Sequence, residues 1–140
     1  MKTIENDNLI FIRLFPEEDV INEIINACKK HKVRTAILIS GIGQLKKLKL
    51  GYFKDKGNYS PKLFNKPLEI LSLTGNIIRN MNDYNVHLHI VVGDENKKAL
   101  GGHLIEGKIS ITGEIVLLKT NIEVYRKINK KTGLKDLFIE

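Results

Sequence analysis

The apolar positions along the chain leave period two for one stretch and then return to it, and those changes predict its elements. Asn8-Leu9-Ile10-Phe11-Ile12-Arg13-Leu14 alternates loosely and stops at Pro16, as a first strand ended by a residue with no N–H to give a ladder. From Pro16 to Lys32 the apolar residues Val20, Ile21, Ile24, Ile25 and Cys28 recur at spacings of three and four. Glu17, Glu18 and Asp19 lie early and Lys29, Lys30 and Lys32 late, so acids meet the positive end and bases the negative end of a helix dipole. One helix is predicted there. Period two then returns: residues 35–40 are a short apolar run closed by Gly41-Ile42-Gly43, and residues 45–53 set Leu48 and Leu50 against Lys47 and Lys49. A polar turn over 54–67 leads to a strand at 68–78, followed by a loop rich in Asn at positions 80, 82 and 85. Residues 86–92 and 100–105 flank Gly93-Asp94-Glu95-Asn96-Lys97-Lys98, a hairpin signal, and further strands are expected at 110–118 and 123–128.

One helix against many strands implies an α/β (α+β) fold: a largely antiparallel β-sheet with one main covering helix. At 140 residues, with no repeat, low-complexity run or flexible linker, residues 1–140 read as a single domain. The 42% hydrophobic content places the chain away from disorder, and the absence of Trp leaves an aliphatic core suited to sheet. Cys28 is the only cysteine, which excludes an intrachain disulfide or thiolate cluster and fits a reducing compartment; on the apolar helix face it reads as a buried, inert thiol. The N-terminal segment lacks the apolar core of a secretory signal, and nowhere do eighteen apolar residues run together. A soluble, cytoplasmic protein with no membrane partner is expected.

The formal charge of +7 attracts polyanions in general. Lys46, Lys47, Lys49, Lys54 and Lys56, with Arg126, Lys127, Lys130 and Lys131, offer basic surface. Without an interleaved aromatic platform or a recognition helix, such a surface supports DNA association through phosphate contacts and no more. Ser40-Gly41-Ile42-Gly43-Gln44 lacks the third glycine and the following helix of a nucleotide loop.

The concentrated chemistry is a histidine trio. In a strand, His87 and His89 project from one face, and the return strand carries His103 just after Gly101-Gly102. Opposed Cβ atoms of an antiparallel pair lie about 4.5–5.5 Å apart, close enough for imidazoles to share an ion. The condition is register, since a one-residue slip would send His103 to the other face; the glycine pair offers a bulge that could set it. Three readings stay open: a metal site, solvated or interface histidines, and acid/base catalysis without metal. A divalent ion is expected in the first, with zinc the foremost candidate, although imidazoles suit Zn, Cu, Fe and Ni alike. Glu69 and Glu114 interrupt apolar strands and are either outward-facing residues or partners for a ligating imidazole or metal-bound water. No catalytic residue is assigned, and His31, among lysines, reads as a solvated helix end.

Taken in order, several segments of the chain form a recognisable series. Gly41-Ile42-Gly43 leads into Leu50-Gly51-Tyr52-Phe53, then Leu68-Glu69-Ile70-Leu71-Ser72-Leu73-Thr74-Gly75-Asn76. His87-Leu88-His89-Ile90-Val91-Val92, Gly101-Gly102-His103-Leu104, Gly107, Thr112-Gly113-Glu114-Ile115-Val116 and Thr132-Gly133-Leu134 follow. The series resembles the PPC (plants-and-prokaryotes conserved) domain, of the stand-alone prokaryotic type related to plant AT-hook proteins. That resemblance implies an antiparallel sheet with a flanking helix, assembly as a homotrimer, and a metal held by His87, His89 and His103. The Arg-Gly-Arg-Pro core of an AT-hook is missing here. A trimeric, metal-containing binding or regulatory module is therefore expected, more than an enzyme. The alternative is a metal-dependent enzyme whose three-histidine ion keeps an open water position.

Overall fold

The computed structural model describes residues 1–81 and 83–139. The chain opens with a hairpin of β1 (Lys2–Asn6) and β2 (Leu9–Leu14), joined through Asp7 at φ 51°. β1 escapes the hydrophobic pattern because Ile4 is its single apolar residue. Helix α1 (Val20–Lys30) follows, shorter at both ends than the periodic stretch. Its start is fixed by Asp19, whose side chain accepts from the Asn22 N–H, satisfying one of the helix's free donors. Val20, Ile24, Ala27 and Cys28 form its buried face, as the spacing requires.

The strands expected at 35–40 and 45–53 are one continuous strand, β3 (Thr35–Gly51), and those at 100–105 and 110–118 are likewise one, β9 (Ala99–Thr120). Where the pattern breaks, the β3–β9 ladder shifts register and resumes, at Leu38/Ser40, Gly43/Leu45, Leu45/Lys47 and Lys49/Leu50. Such irregularities bend a strand without ending it. The turn over 54–67 holds three short strands, β4 (Phe53–Asp55), β5 (Asn58–Tyr59) and β6 (Lys62–Phe64). Of the asparagines in the expected loop, Asn80 ends β7 (Leu68–Asn80), Asn85 lies inside β8 (Asp83–Gly93), and Asn82 lies outside the described residues. A terminal hairpin of β10 (Val124–Ile128) and β11 (Lys135–Ile139) completes the chain.

Every pairing in the main sheet is antiparallel. The order is β1-β2-β9-β8-β7-β3-β6, and β9 also pairs with β3, so β3, β7, β8 and β9 close into a ring. Closure gives the long strands partners on both edges. The interior is aliphatic: Leu38, Leu45, Leu73, Ile77, Leu88, Ile90 and Leu117 are buried in one cluster with the apolar face of α1. Cys28 is fully buried, and burial raises its thiol pKa to about 12, which keeps it protonated and unreactive. No described helix is long and apolar enough to cross a membrane.

His31 corrects the reading of a solvated helix end. It caps α1, but its side chain is only 11% exposed, with Nδ1 2.7 Å from Glu5 and Nε2 2.9 Å from Thr3. The polar strand β1, invisible to the apolar pattern, supplies both partners.

Candidate metal centre

The ring of strands brings β8 and β9 side by side, and their register decides the site. His89 lies directly opposite His103, so the condition set by the sequence is met. His87, two residues earlier on β8, shares their face. Ring centroids are 5.2 Å apart for His87–His89 and His87–His103, and 5.5 Å for His89–His103. One nitrogen of each ring lies within 4.8 Å of the other two. Nitrogens around a tetrahedral zinc sit about 3.3 Å apart, given bonds of about 2.0–2.1 Å, so small side-chain torsions close the set. The donors fit a divalent ion.

The glycines near the site act by close approach, and the β8–β9 ladder runs from Ala99 to His103 without a bulge. A Cβ on Gly101 would fall 2.5 Å from the Ile90 carbonyl oxygen. Across the other edge of β8, Gly75 takes φ +150°, and a Cβ there would fall 2.0 Å from the His87 carbonyl oxygen. Glycine at 75 lets β7 close on the backbone that carries His87.

Burial lowers the pKa of His87, with Arg126 and His89 adding repulsion to its protonated form; burial, then His87 and His89, do the same for His103. These rings are held toward the neutral state that ligates metals. Tyr59 and His103 meet in a T-shaped arrangement with 6.0 Å between ring centroids. The trio lies in an open cleft of about 1320 Å³ with apolar walls that include Ile21, Ile25, Val86, Leu134 and Leu137.

Arg126 reads as basic surface on sequence, but the β10–β11 hairpin folds it into this cleft. Its Nη2 donates to Asn76 Oδ1 at 2.7 Å and lies 3.3 Å from His87 Nδ1; its Nη1 donates to the Lys135 carbonyl at 2.8 Å. Burial lowers its pKa, an effect that Asp136 opposes. On sequence Asn76 only closes a family-like segment, and its pairing with Arg126 is not readable there, because the contact spans 50 residues and depends on how the hairpin docks.

Glu69 and Glu114 are exposed and do not line the cleft. Glu69 accepts from Gln44, and Glu114 sits across from Arg13 and Ile42 on a different part of β9. Much of the basic surface is paired within the chain: Glu17 holds Lys46 and Lys108, Glu106 holds Lys47 at 2.5 Å, and Lys56 donates to the Lys130 carbonyl.

The profile of the Plants and Prokaryotes Conserved (PCC) domain matches residues 1–121. The chain is 30% identical over 131 residues to the bifunctional protein GlmU of Synechococcus sp. (strain JA-2-3B'a(2-13)), covering 92% of this chain and 20% of that protein. It thus spans about one fifth of the length of the curated relatives it matches. Among solved structures, a candidate DNA-binding protein from Bacteroides thetaiotaomicron VPI-5482 superposes with a TM-score of 0.92 at 27% identity, covering 99% of this chain and 96% of that one. A metal-containing protein from Archaeoglobus fulgidus superposes with a TM-score of 0.82 at 26% identity, covering 99% of each chain.

Replacing Gly75 by Ala tests the packing behind His87. The added Cβ meets backbone, which cannot yield cheaply, so a loss of roughly 2–4 kcal/mol is expected in denaturant unfolding. An unchanged unfolding midpoint would contradict the close approach of β7 to β8.

Proposed function

The chain belongs to the Plants and Prokaryotes Conserved (PCC) domain family, and from that premise we propose a metal-containing binding and regulatory module whose ion is held by His87, His89 and His103. The observation that carries this reading is the convergence of three ring nitrogens, one from each histidine, within 4.8 Å. Similarity to a metal-containing archaeal protein supports it. Zinc is the ion we assign first, since a tetrahedral ion accepts three imidazoles and keeps one position for a ligand. The alternative, a metal-dependent enzyme, needs a base beside that open position. Glu69 and Glu114 lie elsewhere, and Asp136, the carboxylate among the described residues lining the cleft, accepts from Asn129 at 2.7 Å. Binding is the better-supported use of the site.

We further assign a homotrimer, working in the cytoplasm. Ile4, Phe11, Ile37, Ile39, Ile42 and Ile111 are large apolar residues left exposed, an arrangement that favours burial between subunits. DNA association is the second reading, favoured by the candidate DNA-binding relative and the +7 charge. It would act through phosphate contacts, weakened by the internal pairing of several lysines.

Elemental analysis of the purified protein, at a mass resolved by light scattering, tests the first reading. About one metal per chain is expected, in particles of three times 15.9 kDa, with metal lost in His87→Ala, His89→Ala and His103→Ala. Metal-free protein, or variants that keep their metal, would overturn it. For DNA, duplex binding that weakens on the order of tenfold or more between 50 and 200 mM salt is expected; binding insensitive to salt would remove the phosphate-contact account.

A further inference from the structure

We propose that the cleft beside the histidines takes a small organic carboxylate with an apolar body, its carboxylate held by Arg126 next to the metal. This inference rests on the three-histidine reading and extends it to the ligand. Three neutral imidazoles leave a divalent ion's charge unbalanced, and Arg126 adds a further positive charge. Among the described residues Arg126 has no carboxylate within ion-pair distance. A second cation, Lys135, lines the same cleft, while its acid Asp136 is taken up by Asn129. An anion is the ligand that this balance calls for.

Hydrogen bonding specifies the kind of anion. Arg126 Nε is buried and, among the described residues, has no acceptor. Leaving a charged donor unmet is costly, which makes the position a marker for a missing partner. The adjacent Nη2 shares its hydrogens between Asn76 Oδ1 and His87 Nδ1. A guanidinium is donor-only, so the second contact requires a lone pair on Nδ1 and, in a neutral ring, the proton on Nε2. A metal on Nε2 would move that proton to Nδ1 and set donor against donor. A metal on Nδ1 would consume the lone pair itself. Either way, an ion held by His87 would remove that acceptor from Arg126 and leave an Nη2 hydrogen free beside the unmet Nε hydrogen. These two lie on one edge of the guanidinium, the side-on fork that matches a carboxylate's two oxygens.

The walls specify the rest of the ligand. Ile21, Ile25, Val86, Leu134 and Leu137 border the cleft and reward an apolar body with burial. Arg126, Leu134 and Leu137 all lie beyond residue 121, outside the stretch that the family profile matches. The β10–β11 hairpin thus supplies the guanidinium and two of the apolar walls, while Asn76 and the histidines stand on the main sheet.

The test is calorimetric titration of metal-loaded protein with benzoate and with acetate, after its metal content has been measured. Benzoate is expected to bind more tightly than acetate. Arg126→Gln and Arg126→Lys should each weaken benzoate about 10- to 100-fold while retaining the metal, since the fork and not the charge alone is lost. Should an Arg126 variant release the hairpin, Leu134→Glu leaves Arg126 in place and should weaken benzoate by adding a like charge at the cleft wall. Metal-loaded protein that ignores benzoate, or binds it equally in Arg126→Lys and Leu134→Glu, overturns the inference and leaves the metal reading standing. Wild-type protein that takes up no metal overturns the metal reading, and the inference with it.

Discussion

The register between β8 and β9 is the constraint on which the site depends. With His89 opposite His103, three imidazoles share one face; displaced by one residue, His103 would point to the other side and no cluster would form. That register is not held locally by a bulge. It is fixed by the closed ring, in which β9 is paired to β3 along most of its length while β8 is paired to β7. A slip of β8 on β9 would have to drag the other ladders or move Leu88 and Ile90 out of the aliphatic interior. The core therefore positions the chemistry, and the glycines permit it by letting backbones approach.

Much of this was legible in the sequence. The switch from period two to period 3.6 marks α1, the alternation marks the long strands, and His87-x-His89 with His103 marks the cluster. Continuity was harder to read. β3 and β9 look broken because glycines interrupt their apolar pattern, yet the ladder between them resumes across each break and carries both strands through. Elements that bury little also escaped: β1, rich in polar residues, shows no apolar alternation, although it supplies the Glu5 and Thr3 that clamp His31. Arg126 is the clearest case of a role beyond sequence reach. Among nine residues of a basic composition nothing distinguishes it, and its position follows from hairpin docking.

The two parts of the site have different origins in the chain. The histidines stand on strands inside the stretch that defines the PCC domain, whereas the guanidinium and two of the apolar walls come from the terminal hairpin beyond it. The main sheet would hold the ion, and the hairpin would shape what reaches it. The glutamates contribute to neither part. Glu69 and Glu114 alternate outward on strands whose inward residues fill the core, which is the ordinary consequence of a pleated strand.

X-ray absorption spectroscopy of the metal-loaded protein tests the central claim most directly, because it reads the ligands of the ion and not its mere presence. The account predicts a shell with three imidazole nitrogens, at about 2.0–2.1 Å if the ion is zinc, completed by a light-atom ligand. A shell without imidazole scattering, or one built from carboxylate oxygens alone, would contradict it.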